Sequence, residues 1–453
     1  MFQIDETNLL EDVKDFLEDI DTYKAKRYKW SLFFKLPDGE DIQPIKVHAI
    51  DILRDYGGTA YGDQVRIAVD LMVGEYKKYI YPHRENLHVE IVREEIDFDT
   101  GGIDVDQAPT SSLYKAIPVD QVNLELEGNL DSYNQDDLNS IVRSFEFDML
   151  NPTVDYLRQT HFSLALELTT NENALKTLYT YFGKSVPVDK DYLIKGVDIV
   201  ESNSEKIHRH LVIPKGTKIL SLHKWLQLHK GGIYNSGITS YIQDRTWYVF
   251  PTFNTRRYDT STKKLLIVNV PPKKFPQLDL TYLQLENHLL VISNGEVKVH
   301  DDSELLELNL GNGLMYADSE KIREGFSVRN GNQGIITRSS NIKRYGVRER
   351  SDNKKFVPFS DEPITSNHPK QMSKLTRRNG LHLELTISNS DPDLMYPGQP
   401  VKILYLNGDD LDEIKEKDGV LIKADHSVTN IAEGPNGSQF VCNSIITVFA
   451  ERD

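Results

Sequence analysis

The 453-residue sequence predicts an α+β protein that is mainly β, with two antiparallel β-barrel domains, an α+β module between them and an insertion in the second barrel. Three observations carry this. Between Tyr28 and Arg93, short alternating runs follow one another at close spacing with polar turns, the texture of a barrel or sandwich. Residues 153–260 switch to helical spacing twice, at Glu172–Phe182 and Ile219–Leu228. From Tyr396 onward, three extended runs separated by turn chemistry read as an antiparallel meander, because parallel strands would need helical crossovers for which the stretch has no room.

Taken in order, residues 1–21 form a helical arm. Leu9, Leu10, Val13, Phe16, Leu17 and Ile20 recur at helical spacing, with acidic residues on the other face and Asp5 and Glu6 suited to the positive end of the helix dipole. The helix either docks on a neighbouring chain or packs on its own domain. The first β-barrel occupies 22–152. "YKWSLFFKL" ends at Pro37-Asp38-Gly39, "VRIAVDLMV" alternates from Val65 to Val73, and "FEFDMLN" closes the domain. The α+β module spans 153–270. Its helix from Glu172 to Phe182 is expected to stop at Gly183. A second helical face, Ile219, Leu222, Trp225, Leu226 and Leu228, is stopped by Gly231-Gly232, and paired strands follow around Asp244-Arg245. Residues 271–310 start the second β-barrel. There, Asn294-Gly295 is expected to turn a hairpin. A loop-rich subdomain is inserted at 311–375, and 376–453 completes the barrel with Val401–Leu406, Val420–Val428 and Phe440–Phe449, the first entered through the Pro397-Gly398 turn.

Lys and Arg number 53 against 69 Asp and Glu, a formal net charge of −16, which argues against tight wrapping of nucleic acid. The single cysteine, Cys442, excludes a disulfide within the chain and fits a reducing cytoplasm; on an alternating strand it reads as a buried, inert thiol. The N-terminus lacks the pattern of a signal peptide, and no apolar run approaches the roughly 18 residues of a membrane span, so a soluble protein is expected.

"DFDTGGIDVD" (97–106) offers oxygen ligands and a glycine turn, but the closing glutamate of an EF-hand would fall at Ala108, so a solvated acidic loop is the expectation. His208, His210, His223 and His229 lack a carboxylate or cysteine partner in any recognisable metal motif. The glycines from Gly311 to Gly334 have no Gly-Lys-Ser/Thr ending, and the basic run Lys343–Lys355 reads as a solvated loop. No serine elbow, His-Glu-x-x-His or dinucleotide fingerprint occurs. No catalytic, cofactor-binding or metal-binding residue is therefore expected, and no enzymatic role is predicted.

Two stretches resemble a known family. The close "VKILYLNG", "GVLIKADHSVTN", "FVCNSIITVFAER" after a Pro-Gly turn is similar to the end of the second barrel of tailed-bacteriophage baseplate hub proteins, which join the tail tube to the central spike. The Ile213-Pro214 entry, the helix with Trp225 and Leu226, "GGIY" and "TWYVFPTFNTRRYD" resemble their middle domain. The likeness covers most of the chain after Tyr28 and rests on ordered patterns; the charge at Glu304–Glu324 and the run Lys343–Lys355 depart from it. It implies barrels of the hub or tail-tube type and a homotrimeric ring that matches a six-fold tube to a three-fold spike. Implied partners are the tail tube or distal tail protein on one face, the spike on the other and further baseplate proteins. DNA would pass the channel without specific binding, and the protein would reside in the virion after assembly in the host cytoplasm. A cell-wall hydrolase or glycan-binding tail component is the alternative, because a carboxylate pair is defined by a distance that sequence does not show.

Overall fold

The computed structural model describes residues 27–37, 39–96, 103, 108–119, 141–269, 282–284, 288–293, 297–300, 314–316, 327–329, 335–337, 345–347, 377, 380–407, 413–432 and 440–451. The expected N-terminal helix and almost all of the acidic loop 97–106 lie outside them, as does the basic run apart from 345–347.

The protein is mainly β. Its first part comprises β1 (Arg27–Lys35), β2 (Asp41–Ile42), β3 (Lys46–Asp55), β4 (Gln64–Met72), β5 (Leu87–Ile96), β6 (Thr110–Pro118) and β7 (Val142–Leu150). They pair antiparallel in the order β3-β4-β7-β6-β5-β1-β2. Strict alternation explains the pairing faces: Val65, Ile67, Val69 and Leu71 of β4 and Phe145, Phe147 and Met149 of β7 point into one core with Leu32, Phe34 and Val89. Tyr76, in the helical segment after β4, stacks on Phe145 at 4.1 Å. The outermost strand β2 leads back to β3 through only Gln43–Ile45, so Ile42 and Lys46 are at most about 14 Å apart and the sheet must curl on itself.

The second part contains β13 (Lys264–Asn269), β14 (Tyr282–Gln284), β15 (His288–Ser293), β16 (Val297–His300), then four short strands, β17 (Leu314–Tyr316), β18 (Ser327–Arg329), β19 (Ile335–Thr337) and β20 (Tyr345–Val347), paired as β17–β20 and β18–β19. It continues with β21 (Gly380–Ile387), β22 (Pro400–Asn407), β23 (Glu413–Asn430) and β24 (Phe440–Glu451). Strands β22, β23 and β24 form the expected antiparallel meander. Leu265, Ile267, Val291, Leu385, Ile403, Leu421, Ile446 and Val448 fill a second core.

Three expectations about the sheet are corrected. The sheet is mixed, because β13 runs parallel to both β15 and β22; its Leu265-Leu266-Ile267-Val268 run is buried on both faces, as a parallel strand requires. Asn294-Gly295 does not join a hairpin: β15 pairs with β13 and β14, whereas β16 pairs with β21 at the other edge. Doubly buried β15 takes a neighbour on each side, leaving no edge for β16. Finally, the two parts are not two separate sheets. They are joined by β23–β3 pairing into one 15-stranded sheet, and no closed barrel occurs among the described residues.

Between the two parts lies the α+β module: α1 (Pro152–Gln159), β8 (His161–Thr169), α2 (Asn171–Lys184), β9 (Gly196–Ile199), β10 (His208–Lys218), α3 (Leu222–His229), β11 (Thr239–Gln243) and β12 (Thr246–Phe250). Asn151 caps α1 by accepting from Thr153 N at 2.9 Å, with Pro152 in the first turn; Thr170 caps α2. Asp244 and Arg245 both take positive φ (47° and 62°), the geometry a two-residue hairpin between β11 and β12 demands. Gly183 does not end α2. It lies inside the helix where a Cβ would stand 3.0 Å from Ile194 Cδ1, so glycine serves close packing there. Tyr179 and Trp247 stack at 3.7 Å in the module's own core, and Trp247 Nε1 donates to Ser240 Oγ at 2.6 Å.

Candidate functional site

Among the described residues, a dense cluster of buried polar side chains lies where the two parts of the sheet and the module meet. Strand parity places it there. Ile50 and Ile52 of β3 point inward, and the next inward position is Arg54; on β5, Val89 and Ile91 are followed by Arg93. Neither arginine can remain without a partner at such depth. Arg54 Nε and Nη2 donate to Asp63 Oδ2 at 3.2 and 3.1 Å, and its Nη1 donates to the Pro392 carbonyl. Arg93 Nη1 donates to Asp391 Oδ1 at 2.5 Å, and its other nitrogen pairs with Asp393. Tyr28 Oη donates to Asp391 Oδ2 at 2.8 Å, and the Arg93 guanidinium lies 4.2 Å from the Tyr28 ring centre.

The module supplies the third side. Tyr241 Oη donates to Asp63 Oδ1 at 3.1 Å; Tyr56 Oη donates to Gln243 Oε1 at 2.8 Å, and Gln243 Nε2 donates to the Met395 carbonyl at 2.7 Å. Ser-Asp-Pro-Asp, residues 390–393, is thus gripped by both arginines. Burial pushes the Tyr56, Tyr241 and Tyr28 hydroxyls far up, so they act as hydrogen-bond donors at any ordinary pH. Partial loss of hydration raises the Asp393 and Asp244 carboxyls, against the pull of Arg93 and Arg54 respectively.

Strand β24 runs across the whole junction. Its inward positions are Phe440 and Cys442 against the first core, Ser444 in the polar layer, then Ile446, Val448 and Ala450 in the second core. Ser444 Oγ contacts His426 Nδ1 at 2.5 Å and Ser390 Oγ. His426 is 1 % exposed, and burial together with Arg54 holds its imidazole well below the usual range, hence neutral. A serine and histidine in contact are here sealed from solvent, so the pair orders the interior and has no substrate access.

The positions singled out in the sequence fall as follows. Cys442 is half-buried, 3.5 Å from Ser390 Oγ, with its thiol pushed up to about 11 by burial. His223 is buried, contacts Tyr179 Oη at 3.0 Å and is pushed down to about 3 by burial. His229 is exposed beside Trp225. His208 and His210 lie on β10, the latter 3.7 Å from Glu167. The structure does not bring the four histidines together, and no group of three or more His, Cys, Asp or Glu side chains placed to hold a metal occurs among the described residues. No described helix is long and apolar enough to cross a membrane. Arg54, Arg93, Asp63, Asp391 and Asp393 were missed in the sequence. The available signal was an arginine on the inward parity of two otherwise apolar strands.

No protein-family model and no curated protein matches the chain. Among solved structures it is similar to a tail protein from Neisseria meningitidis (TM-score 0.43, 10% identity, covering 93% of this chain and 96% of that one). It is also similar to the 43 kDa tail protein of prophage MuSo2 from Shewanella oneidensis (TM-score 0.45, 10% identity, 92% and 98%). A third is an Escherichia coli protein described as a component of the type VI secretion system with structural similarity to T4 bacteriophage tail proteins (TM-score 0.39, 6% identity, 90% and 74%).

Proposed function

We propose that the chain is a structural baseplate hub of a phage tail, three copies of which form a ring that adapts a six-fold tube to a three-fold spike. One observation carries the reading. A single chain curls its sheet twice, around two separate cores, and a shared β23–β24 hairpin holds the halves in fixed relation. The second half curls as the first does: β15 near one edge and β16 at the other are linked by three residues, a span of at most about 14 Å. Each half is thus barrel-like, and three copies with two such halves present six comparable units to a six-fold tube while keeping three-fold symmetry for a spike.

In this reading the Arg54–Asp63 and Arg93–Asp391–Asp393 network is the keystone that sets the angle between the halves. Buried ion pairs add little net stability, but they penalise any other packing. Tube or distal tail protein would contact one face of the ring and spike the other, with further baseplate proteins at the periphery. The net charge of −16 would let DNA pass the channel without adhering. Assembly in the host cytoplasm precedes incorporation into the virion. Light scattering with electron microscopy of the purified protein tests this: the expected particle is a three-copy ring with six lobes. A monomer at every concentration, or a particle with one lobe per copy, would overturn it.

A further inference from the structure

Strands β8 and β10 form a two-stranded antiparallel ribbon that pairs with nothing else among the described residues. Its inner face is accounted for by Phe162, Leu166, Leu211 and Ile213 on the module core. The remainder is not. Ribbons of two strands are marginal alone, and their open edges are ready pairing surfaces. Here Val212 is 55%, Ile207 66% and Leu168 76% exposed, and Leu168 also holds φ at 47°, a strained conformation for a leucine. An apolar side chain kept both strained and exposed fits a surface that is covered in the working assembly.

The charge of the ribbon bears on what could cover it. Residues 161–169 and 205–218 carry Lys206, Arg209, Lys215 and Lys218 against Glu167 and Glu205, a net +2 in a chain of −16, so the remainder stands at −18. All four cations are exposed. A basic ribbon on an acidic molecule is complementary to another copy of that molecule. A contact between unlike patches is heterologous, the kind that closes into a ring when its rotation allows. Exposed Val212, Ile207 and Leu168 set apolar side chains among the cations, which favours a protein surface over a phosphate backbone, since that would be met by cations alone.

We infer that the β8–β10 ribbon is the surface by which one copy grips an acidic surface of the next, an inference that rests on the ring proposed above. The test is sedimentation of the full chain and of two variants over a concentration and salt series, with circular dichroism to establish folding. The variants are the triple Arg209→Glu, Lys215→Glu, Lys218→Glu and the single Val212→Asp, both changing exposed positions. The expected result is a three-copy wild type whose assembly weakens with salt, and variants that stay folded but dissociate at concentrations at least about tenfold higher. Folded variants that assemble like wild type would overturn the ribbon contact and leave the ring standing. If they assemble normally but lose retention of a DNA duplex shown by wild type, the ribbon is a nucleic-acid surface and the inference is equally overturned. A wild type that never assembles removes the ring and this contact together.

Discussion

Gly398 joins the second half of the sheet to the α+β module through one atom's worth of space, and its replacement by alanine reads that junction directly. The turn Tyr396–Gln399, closed by Gln399 N donating to the Tyr396 carbonyl at 3.2 Å, puts Gly398 at φ +65°. An L-residue there costs about 1 to 2 kcal/mol in backbone strain. An added Cβ would also lie 2.1 Å from Cδ2 of Phe250, a fully buried ring on β12 of the module. Overlap of this kind in a packed interior costs roughly 1 to 3 kcal/mol. Gly398→Ala is therefore expected to lose about 2 to 5 kcal/mol in urea unfolding. Gly39 is the internal control: its φ is +88°, and a Cβ there meets nothing within 4 Å, so Gly39→Ala should show the strain alone, about 1 to 2 kcal/mol. A double-mutant cycle completes the test. In a Phe250→Ala background the overlap vanishes, and Gly398→Ala should then cost no more than Gly39→Ala. Equal losses for the two single glycine variants would refute the close approach of Phe250.

Arg54→Ala should destabilise by about 3 to 5 kcal/mol in the same assay, because it strands Asp63 without its cation; Arg66→Ala, which breaks an ion pair exposed on both sides, should cost under about 1 kcal/mol. Stability should fall on acidification. His223 and His426 are neutral when folded, with imidazoles held below the ordinary value near 6.5, so their contribution is complete above that pH and is lost as pH falls toward about 3 for His223. Each adds a slope approaching about 1.4 kcal/mol per pH unit in that window. His223→Gln should flatten the profile, and an NMR signal of His223 titrating near pH 6 would contradict it. Cys442, half-buried with its thiol pushed up to about 11, should alkylate more slowly at pH 8 in the native protein than after denaturant unfolds the chain; equal rates in the two states would refute that shielding.

What the sequence disclosed and what it withheld divide along physical lines. Local signals were legible: the Pro397-Gly398 turn, the meander after it, the Asp244-Arg245 hairpin, and Gly231-Gly232 ending α3 with φ of 87° and 84°. Each depends on a few neighbouring residues. Partner choice between strands was not. Asn294-Gly295 carries hairpin chemistry, yet β15 is bound on both sides by β13 and β14 and β16 joins β21, an outcome set by packing some ninety residues away. Gly183 shows the same limit, since helix-stopping chemistry gives way to the approach of Ile194. The polar junction was half visible: Arg54 and Arg93 break their strands' apolar parity, but Asp391 and Asp393, some three hundred residues on, show no sequence sign of facing them.

Strand β23 shows how one hairpin can serve two cores. Read as a plain alternation, Val420, Ile422, Ala424, His426 and Val428 would all share a face. The register against β24 shifts between Leu421 and Lys423, and one extra residue turns every later side chain to the opposite side. Leu421 therefore faces the second core while Val420 and Ile422 pack outward with Phe449 and Phe253; beyond the shift Ala424 turns to the second core, His426 to the polar layer and Val428 to the first core. Before the shift the strand pairs with β22, and after it with β3. The bulge is thus the point at which one half of the sheet hands over to the other. Because β24 follows β23 on both sides of it, rotating the halves against each other would break ladder hydrogen bonds in two strands at once. In the proposed hub, the polar side chains gathered at that crossing would add to the restraint that the two ladders impose.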